Sequence, residues 1–273
     1  MGLMPYAEAW AMQARLVEAR QRDEIPDTLV LLQHPHTYTF GRRATSDHLL
    51  LDEEELRQKG IATFWVDRGG DVTYHGPGQI VGYPIIDLRA QRLDVHRYLR
   101  SLEEVLIQAL TRFGIQGERD PAYTGVWVSS SCHCQRGDES ARPHGGATEV
   151  ENPGRGGHEQ RSIRGWAGGP TNPGKGAFSP ESGTGEAAKI AAIGVKIGRG
   201  VTSHGFALNV NTDLSYFDGI VPCGITGRRV TSMEQELGWR VEIEAVEGAV
   251  EEAFRRMFSA PGCSRNAGHR QTN

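Results

Sequence analysis

Short apolar runs and longer helical repeats alternate along most of this chain. Thr28-Leu29-Val30-Leu31-Leu32 is too short for a stable helix and reads as a buried strand just ahead of His34-Pro35. Ile61 to Val66, Ile80 to Ile86, Val126-Trp127-Val128, Ile190 to Ile197 and Phe206 to Val210 are further strand candidates. Between them the period changes. Tyr6 to Glu18 predicts an amphipathic helix with Ala7, Trp10, Ala11 and Ala14 on its apolar stripe. The acids Asp52 to Glu55 open a second helix, where negative charge complements the N-terminal dipole. Leu99, Leu102, Leu106 and Leu110 repeat at helical spacing within Leu93 to Phe113, and Gly114 is placed to stop that helix. Val241 to Phe258 reads as a closing helix. Strands mixed irregularly with helices predict an α+β fold.

Residues 129–186 break this pattern. They hold 13 of the chain's 35 glycines, and their only Val, Ile or Leu residues are Val150 and Ile163. Such a segment has too little apolar surface to offset the entropy of ordering it, which predicts a disordered insertion. The expected organisation is a single domain over residues 1–258, interrupted by the insertion at 129–186 and followed by a mobile tail at 259–273. Cys132-His133-Cys134, with His144 and His158 beyond it, offers metal-binding residue types. The spacing does not match the two to four residues that separate paired cysteines in structural zinc sites, and no second pair follows, so no metal is expected.

Composition narrows the class of function. The chain has 273 residues, with 30 Lys plus Arg against 34 Asp plus Glu, a net charge of −4. A nucleic-acid binder would show a basic excess, so none is expected as partner. No run of apolar residues reaches the length needed to cross a bilayer, and Met1 to Gln13 lacks the basic start and apolar stretch of a signal peptide. Four cysteines without a secretion signal suit a reducing compartment, and the expected location is the cytoplasm.

The chemistry concentrates in three stretches. Cys223 lies in Ile220-Val221-Pro222-Cys223-Gly224-Ile225, where proline and glycine fix and open the backbone around one thiol. A cysteine so placed attacks acyl groups if a nearby cation holds it as thiolate; a buried structural cysteine is the plain alternative. Lys189 opens the strand-like run Lys189-Ile190-Ala191-Ala192-Ile193-Gly194, and Lys196 follows seven positions later. On a regular strand the two lysines point to opposite faces, unless a bulge at Gly194 intervenes, and the sequence alone leaves the choice between them nearly even. The third stretch is Arg68-Gly69-Gly70-Asp71-Val72-Thr73-Tyr74-His75-Gly76-Pro77-Gly78-Gln79. Its four glycines let backbone approach a bound group, yet it lacks the Gly-Lys-Ser/Thr or GxGxxG patterns of nucleotide loops. His75 and His204 are candidates for positioning groups in the site, and structural histidines account for them equally well.

Five motifs occur in the order found in the lipoyl(octanoyl) transferases, and the chain resembles that family over roughly residues 5–128 and 187–258. The motifs are Gln33-His34-Pro35 through Gly41-Arg42, Arg68 to Gln79, Lys189 to Gly194, Ser203 to Val210, and Pro222-Cys223-Gly224. The resemblance implies the architecture of the biotin and lipoate ligase catalytic domain, a mixed sheet covered by helices. It implies that Cys223 becomes an acyl-thioester and that Lys189, rather than Lys196, lowers its pKa. It further implies substrate binding by Arg68, Gly69, Gly70, Asp71, Val72, Thr73, Tyr74 and His75, by Ala192, Ile193 and Gly194, and by Gly205, Phe206 and Ala207. No cofactor is implied. The expected donor is octanoyl-acyl carrier protein, and the expected acceptors are lysines on the lipoyl domains of 2-oxoacid dehydrogenase complexes and on the glycine cleavage H protein. The family passes from the strand near Val128 to the lysine run by a short connection, and this sequence departs from that pattern. Two rivals follow: an ATP-dependent lipoate or biotin protein ligase, which has no use for a nucleophilic cysteine, and a non-catalytic carrier-protein binding module, which has no use for both Cys223 and Lys189. Arg42-Arg43 and Arg228-Arg229 are candidates for a basic patch facing acidic partners.

Overall fold

The computed structural model describes residues 1–129, 187–221 and 229–258. Cys223, Arg228, the Cys132-His133-Cys134 cluster, most of the predicted insertion and the predicted tail lie outside the described residues.

Two sheets carry the fold. The larger has strand order β1-β5-β8-β7-β6, all antiparallel, built from β1 (Thr28–Leu32), β5 (Gln79–Ile85), β6 (Val126–Val128), β7 (Ala188–Gly198) and β8 (Val201–Asn209). The smaller has order β3-β2-β4 from β2 (Thr37–Phe40), β3 (Ala62–Trp65) and β4 (Val72–His75), with β2 parallel to β3 and antiparallel to β4. The expected mixed sheet under helices is met, the parallel pair being confined to the smaller sheet.

One face of the large sheet is covered by α4 (Val95–Thr111) and α6 (Ile243–Phe258), each preceded by a short helix, α3 (Leu88–Gln91) and α5 (Met233–Leu237). Leu102, Val105, Leu106 and Ala109 of α4 and Val246, Val250 and Ala253 of α6 close with Ile80, Ile190 and Leu208 into the main core. The Asp94 carboxylate caps α4 by accepting from the Arg97 N–H at 2.8 Å. Helix α2 (Glu53–Gln58) opens, as the run of acids predicts, on a capping box between Asp52 and Glu55. The opposite face of the sheet is covered by α1 (Tyr6–Gln21), whose Ala9 packs with Val30, Leu32, Val81, Tyr83 and Ala207.

Helix α1 forms where predicted but turns a different face inward. Ala7, Ala11 and Ala14 are exposed and Trp10 is half-buried, while Tyr6, Ala9, Gln13 and Arg20 are buried. Alanine suits a helix on any face, and hydrogen bonds hold the two inward polar side chains Gln13 and Arg20. Gln13 Oε1 accepts the His204 N–H at 2.8 Å, and Arg20 Nε donates to Asp27 at 2.8 Å. Among the described residues no helix is long and apolar enough to cross a membrane.

Candidate active site

A cavity of about 680 Å³ is lined from both sheets. Of the substrate-binding candidates, residues 68–73 and His75, Ala192 to Gly194, and Gly205 to Ala207 line it, as does Lys189. Tyr74 does not. It is fully buried in the small-sheet core, its hydroxyl 2.8 Å from His36 Nδ1 and its ring stacked on Tyr216 at 5.1 Å between centroids. Within β4, Tyr74 points away from the face that Thr73 and His75 share; Val72, on the face of Tyr74, packs in the same small-sheet core but also reaches the cavity where the strand begins. The glycine-rich stretch therefore contains a strand, β4, between two turns.

Lys189 and Lys196 lie on the same face of β7, contrary to the parity expectation. Trp127 pairs with Lys189 and Val126 with Ala191, so Ile190 is an extra residue in β7 and inverts the alternation beyond it. Ile193, Val195 and Ile197 then pack against the α4–α6 core, leaving Ala192, Gly194 and Lys196 on the side of Lys189. A bulge does intervene, but four residues before Gly194. Position along the strand, rather than face, separates the two cations. Lys196 Nζ is bonded to the Asp67 carboxylate, which also accepts from His204 Nε2 at 2.9 Å. Lys189 lines the cavity, its Nζ 4.7 Å from the centre of the Trp127 ring in a cation–π arrangement.

The backbone around Lys189 is held on both sides. Its N–H donates to the Arg229 carbonyl at 2.8 Å and its carbonyl accepts from the Thr231 N–H at 2.9 Å. Gly125 lies against the side chain, and its own N–H donates to the buried carboxylate of Glu103 at 3.1 Å. At the other end, Val221 donates its N–H to the His48 carbonyl at 2.9 Å, and His48 Nδ1 is 2.8 Å from Asp71 Oδ1. His48, Lys189 and Val230 all line the cavity. Val221 and Arg229 are thus each bonded to a residue that lines the cavity.

Arg68 is buried where its loop passes between two backbones. A β-carbon on Gly194 would lie 2.8 Å from the Gly69 carbonyl oxygen and 3.2 Å from Arg68 Cδ, so only glycine admits this approach. The Arg68 Nη2 donates to the Thr39 carbonyl at 2.7 Å and to Thr39 Oγ1 at 2.9 Å. Beside it, burial pushes the Tyr6 hydroxyl up to about 12, and the neutral phenol stacks on His75. Burial also holds His75 well below the ordinary imidazole range, reinforced by His34 and Arg68 nearby. His204 is lowered by burial, with its Asp67 bond working in the opposite direction.

A model of the lipoyl protein ligase A/B catalytic domain matches residues 5–255. The chain belongs to this family. Among lipoyl protein ligase A/B relatives, an octanoyltransferase of Rubrobacter xylanophilus is 45% identical over 263 residues, covering 96% of this chain and 92% of the relative. One of Christiangramia forsetii is 36% identical over 272 residues, covering 95% and 94%. Solved structures share the fold at lower identity. A bi-partite lipoate protein ligase of Thermoplasma acidophilum superposes with a TM-score of 0.56 at 15% identity, covering 94% of this chain and 83% of that one. A lipoate-protein ligase A bound with ATP gives 0.57 at 15% identity over the same shares.

Several cavity residues carried no role in the sequence reading. Gln79 and Asn209 stand within the quoted motifs, and their buried amides are the signal that could have singled them out. Tyr83 stands in the predicted strand Ile80 to Ile86 and Phe217 outside every predicted element, and neither carries a signal of its own.

Proposed function

We propose that this protein is an octanoyltransferase that moves an octanoyl group from octanoyl-acyl carrier protein to a lysine of a lipoyl domain, through a thioester on Cys223. The observation that carries the reading is the pinning of both flanks of the Cys223 segment at the cavity, Val221 to His48 and Arg229 to Lys189. Cys223 follows Val221 by two residues, a reach of about 7 Å at most. The names of relatives at 36–45% identity favour a transferase over a ligase.

The Cys223 thiolate attacks the thioester carbonyl, the carrier's thiol leaves, and octanoyl-Cys223 forms. The acceptor amine then attacks this carbonyl, Cys223 departs as thiolate, and an amide results. As an ammonium, Lys189 holds the thiolate; as an amine, it takes up a proton. Both steps exchange one acyl bond for another and need no ATP. Arg68, Gly69, Gly70, Asp71, Val72, Thr73 and His75, with Ala192 to Gly194 and Gly205 to Ala207, shape the acyl and linker site; Tyr74 supports it from the core. Acceptors of this chemistry are lipoyl domains of 2-oxoacid dehydrogenase complexes and the glycine cleavage H protein. Arg42, Arg43 and Arg229 are exposed, Arg43 at the cavity rim, and among the described residues none is ion-paired. They form the basic edge that meets acidic partners.

The test is intact mass after incubation with octanoyl-carrier protein, without ATP. One octanoyl adduct is expected on the wild type and none on Cys223→Ser. Alkylation of Cys223 should shift to higher pH in Lys189→Ala and stay in place in Lys196→Ala. An adduct on another cysteine, or transfer that requires ATP and free acid, overturns the assignment and favours the ligase reading.

A further inference from the structure

A line of buried polar groups runs along the wall of the cavity from Arg68 to Thr231, in the segment bonded to the backbone of Lys189. Each link comes from a different element: Thr39 on β2, His75 on β4, Gln79 opening β5, Asn209 ending β8, and Thr231 after the Cys223 segment. Thr39 Oγ1 is 3.2 Å from His75 Nε2, and His75 Nδ1 is 2.9 Å from Gln79 Oε1. Gln79 Nε2 donates to Asn209 Oδ1 at 2.9 Å, and Asn209 Nδ2 donates to the Thr231 carbonyl at 3.0 Å. All five are at most 7% exposed, so a polar group left without its partner there is costly.

The direction of every bond is forced by groups that have only one role. The Thr231 carbonyl can only accept, so the Asn209 amide nitrogen must face it. The Tyr74 carbonyl, 3.1 Å from Gln79 Nε2, likewise fixes the Gln79 amide. Both amide orientations thus follow from backbone carbonyls, leaving Gln79 Oε1 to face His75 and requiring the proton on Nδ1. Nε2 of the neutral ring is then an acceptor for the Thr39 hydroxyl. That hydroxyl oxygen in turn accepts from Arg68, which can only donate. A second proton on His75 would point at Thr39 Oγ1 and turn its hydroxyl away.

We propose that Thr39, His75, Gln79 and Asn209 form a one-way hydrogen-bond relay from Arg68 to Thr231, in which His75 is a positioning residue fixed as the Nδ1–H tautomer and not an acid or base. The relay's far end clamps Thr231 by its carbonyl, while Lys189 holds the same residue by its N–H. Arg68, which the substrate contacts in the reading above, is thereby coupled to the chain that returns beside Lys189. The functional half of this inference rests on that reading; the tautomer does not.

The first measurement is the 15N spectrum of the His75 ring in the intact protein without substrate. A pyrrole-like Nδ1 and a pyridine-like Nε2, unchanged from pH 5.5 to 8.5, are expected. An Nε2–H tautomer, or a ring titration that tracks the pH–rate profile, overturns the proposal. The second is Asn209→Asp, which keeps an acceptor for Gln79 but sets a carboxylate oxygen against the Thr231 carbonyl. Exchange protection of the Thr231 amide should fall, and formation of octanoyl-Cys223 at saturating donor should slow about tenfold, with KM changed less than about twofold. The third is a pair at a residue outside the cavity lining. Thr39→Val should slow the same step about tenfold and Thr39→Ser should restore it. Full protection and full rate in Asn209→Asp, or Thr39→Ser as slow as Thr39→Val, overturns the coupling. If even the wild type forms no adduct, the transferase reading fails, and the tautomer and amide exchange still decide the relay.

Discussion

Gly125 shows how one residue seats the candidate cation. Its φ is +134°, and a β-carbon there would lie 2.6 Å from the Ala191 carbonyl oxygen and 3.2 Å from Lys189 Cε. The first contact is backbone and cannot yield, so a side chain must move the 125–127 segment or displace Lys189. Gly125→Ala is expected to cost about 1–3 kcal/mol of stability and to shift Cys223 alkylation to higher pH, by loosening the ammonium's seat. Gly114→Ala is the control. Gly114 also has positive φ, +79°, but nothing within 4 Å of a β-carbon, so it should lose about 1 kcal/mol and leave the thiol profile unchanged. Denaturant unfolding and pH-dependent alkylation of both variants check this; equal thiol profiles in the two would remove Gly125 from the site. Nothing in the sequence marked Gly125, because its requirement arises from a strand more than sixty residues away.

At the scale of elements, what was legible followed the strength of the period. Helices α4 and α6 were readable because apolar side chains make up most of their buried faces, Glu103 of α4 being the buried charge among them. The buried face of α1 was not, since Gln13 and Arg20 enter the interior on hydrogen bonds that hydropathy cannot register. Strand β2, Thr37–Phe40, is buried at every position yet alternates threonine with aromatics, and β4 hides among glycines. The motif lysine was legible but its facing was not, because the bulge at Ile190 is set by pairing with β6. That pairing also bears on residues 130–186. Val128 pairs with Ala188, so the chain departs and re-enters at cross-strand neighbours. Closing a hairpin there requires only a short loop, and each halving of a flexible loop lowers its closure cost by about 0.6 kcal/mol. Replacing residues 131–184 with a short Gly/Ser linker is therefore expected to leave thermal stability and octanoyl transfer nearly unchanged. A large drop in melting temperature would show that this segment contributes to the fold.

Across the whole molecule, the interior that buries the relay also holds several histidines neutral. His34 is fully buried, its Nδ1 donating to the Met4 carbonyl at 2.7 Å and its Nε2 accepting from the Tyr83 hydroxyl at 2.7 Å. Burial lowers its pKa to about 4, against 6.5 for an ordinary imidazole. His75 and His204 are shifted in the same direction, also by burial first. With the native pKa below the unfolded one, the unfolded chain binds protons that the native state refuses. Stability is therefore fully present above pH 6.5 and falls as pH drops toward the native value. His34 alone contributes a slope of about 1.4 kcal/mol per pH unit in that window, and about 3 kcal/mol by pH 4. Carboxylates held low, such as Asp87 beside Arg89 at about 2, begin to lose their contribution only below about pH 5, so the upper part of the window belongs to the histidines. His34→Asn keeps an amide donor for Met4 but cannot be protonated. It should be less stable than the wild type at pH 7.5 and lose stability less steeply between pH 6.5 and 4.5. Urea unfolding at several pH values measures both slopes, and parallel lines for the two proteins would mean that His34 carries none of the acid sensitivity.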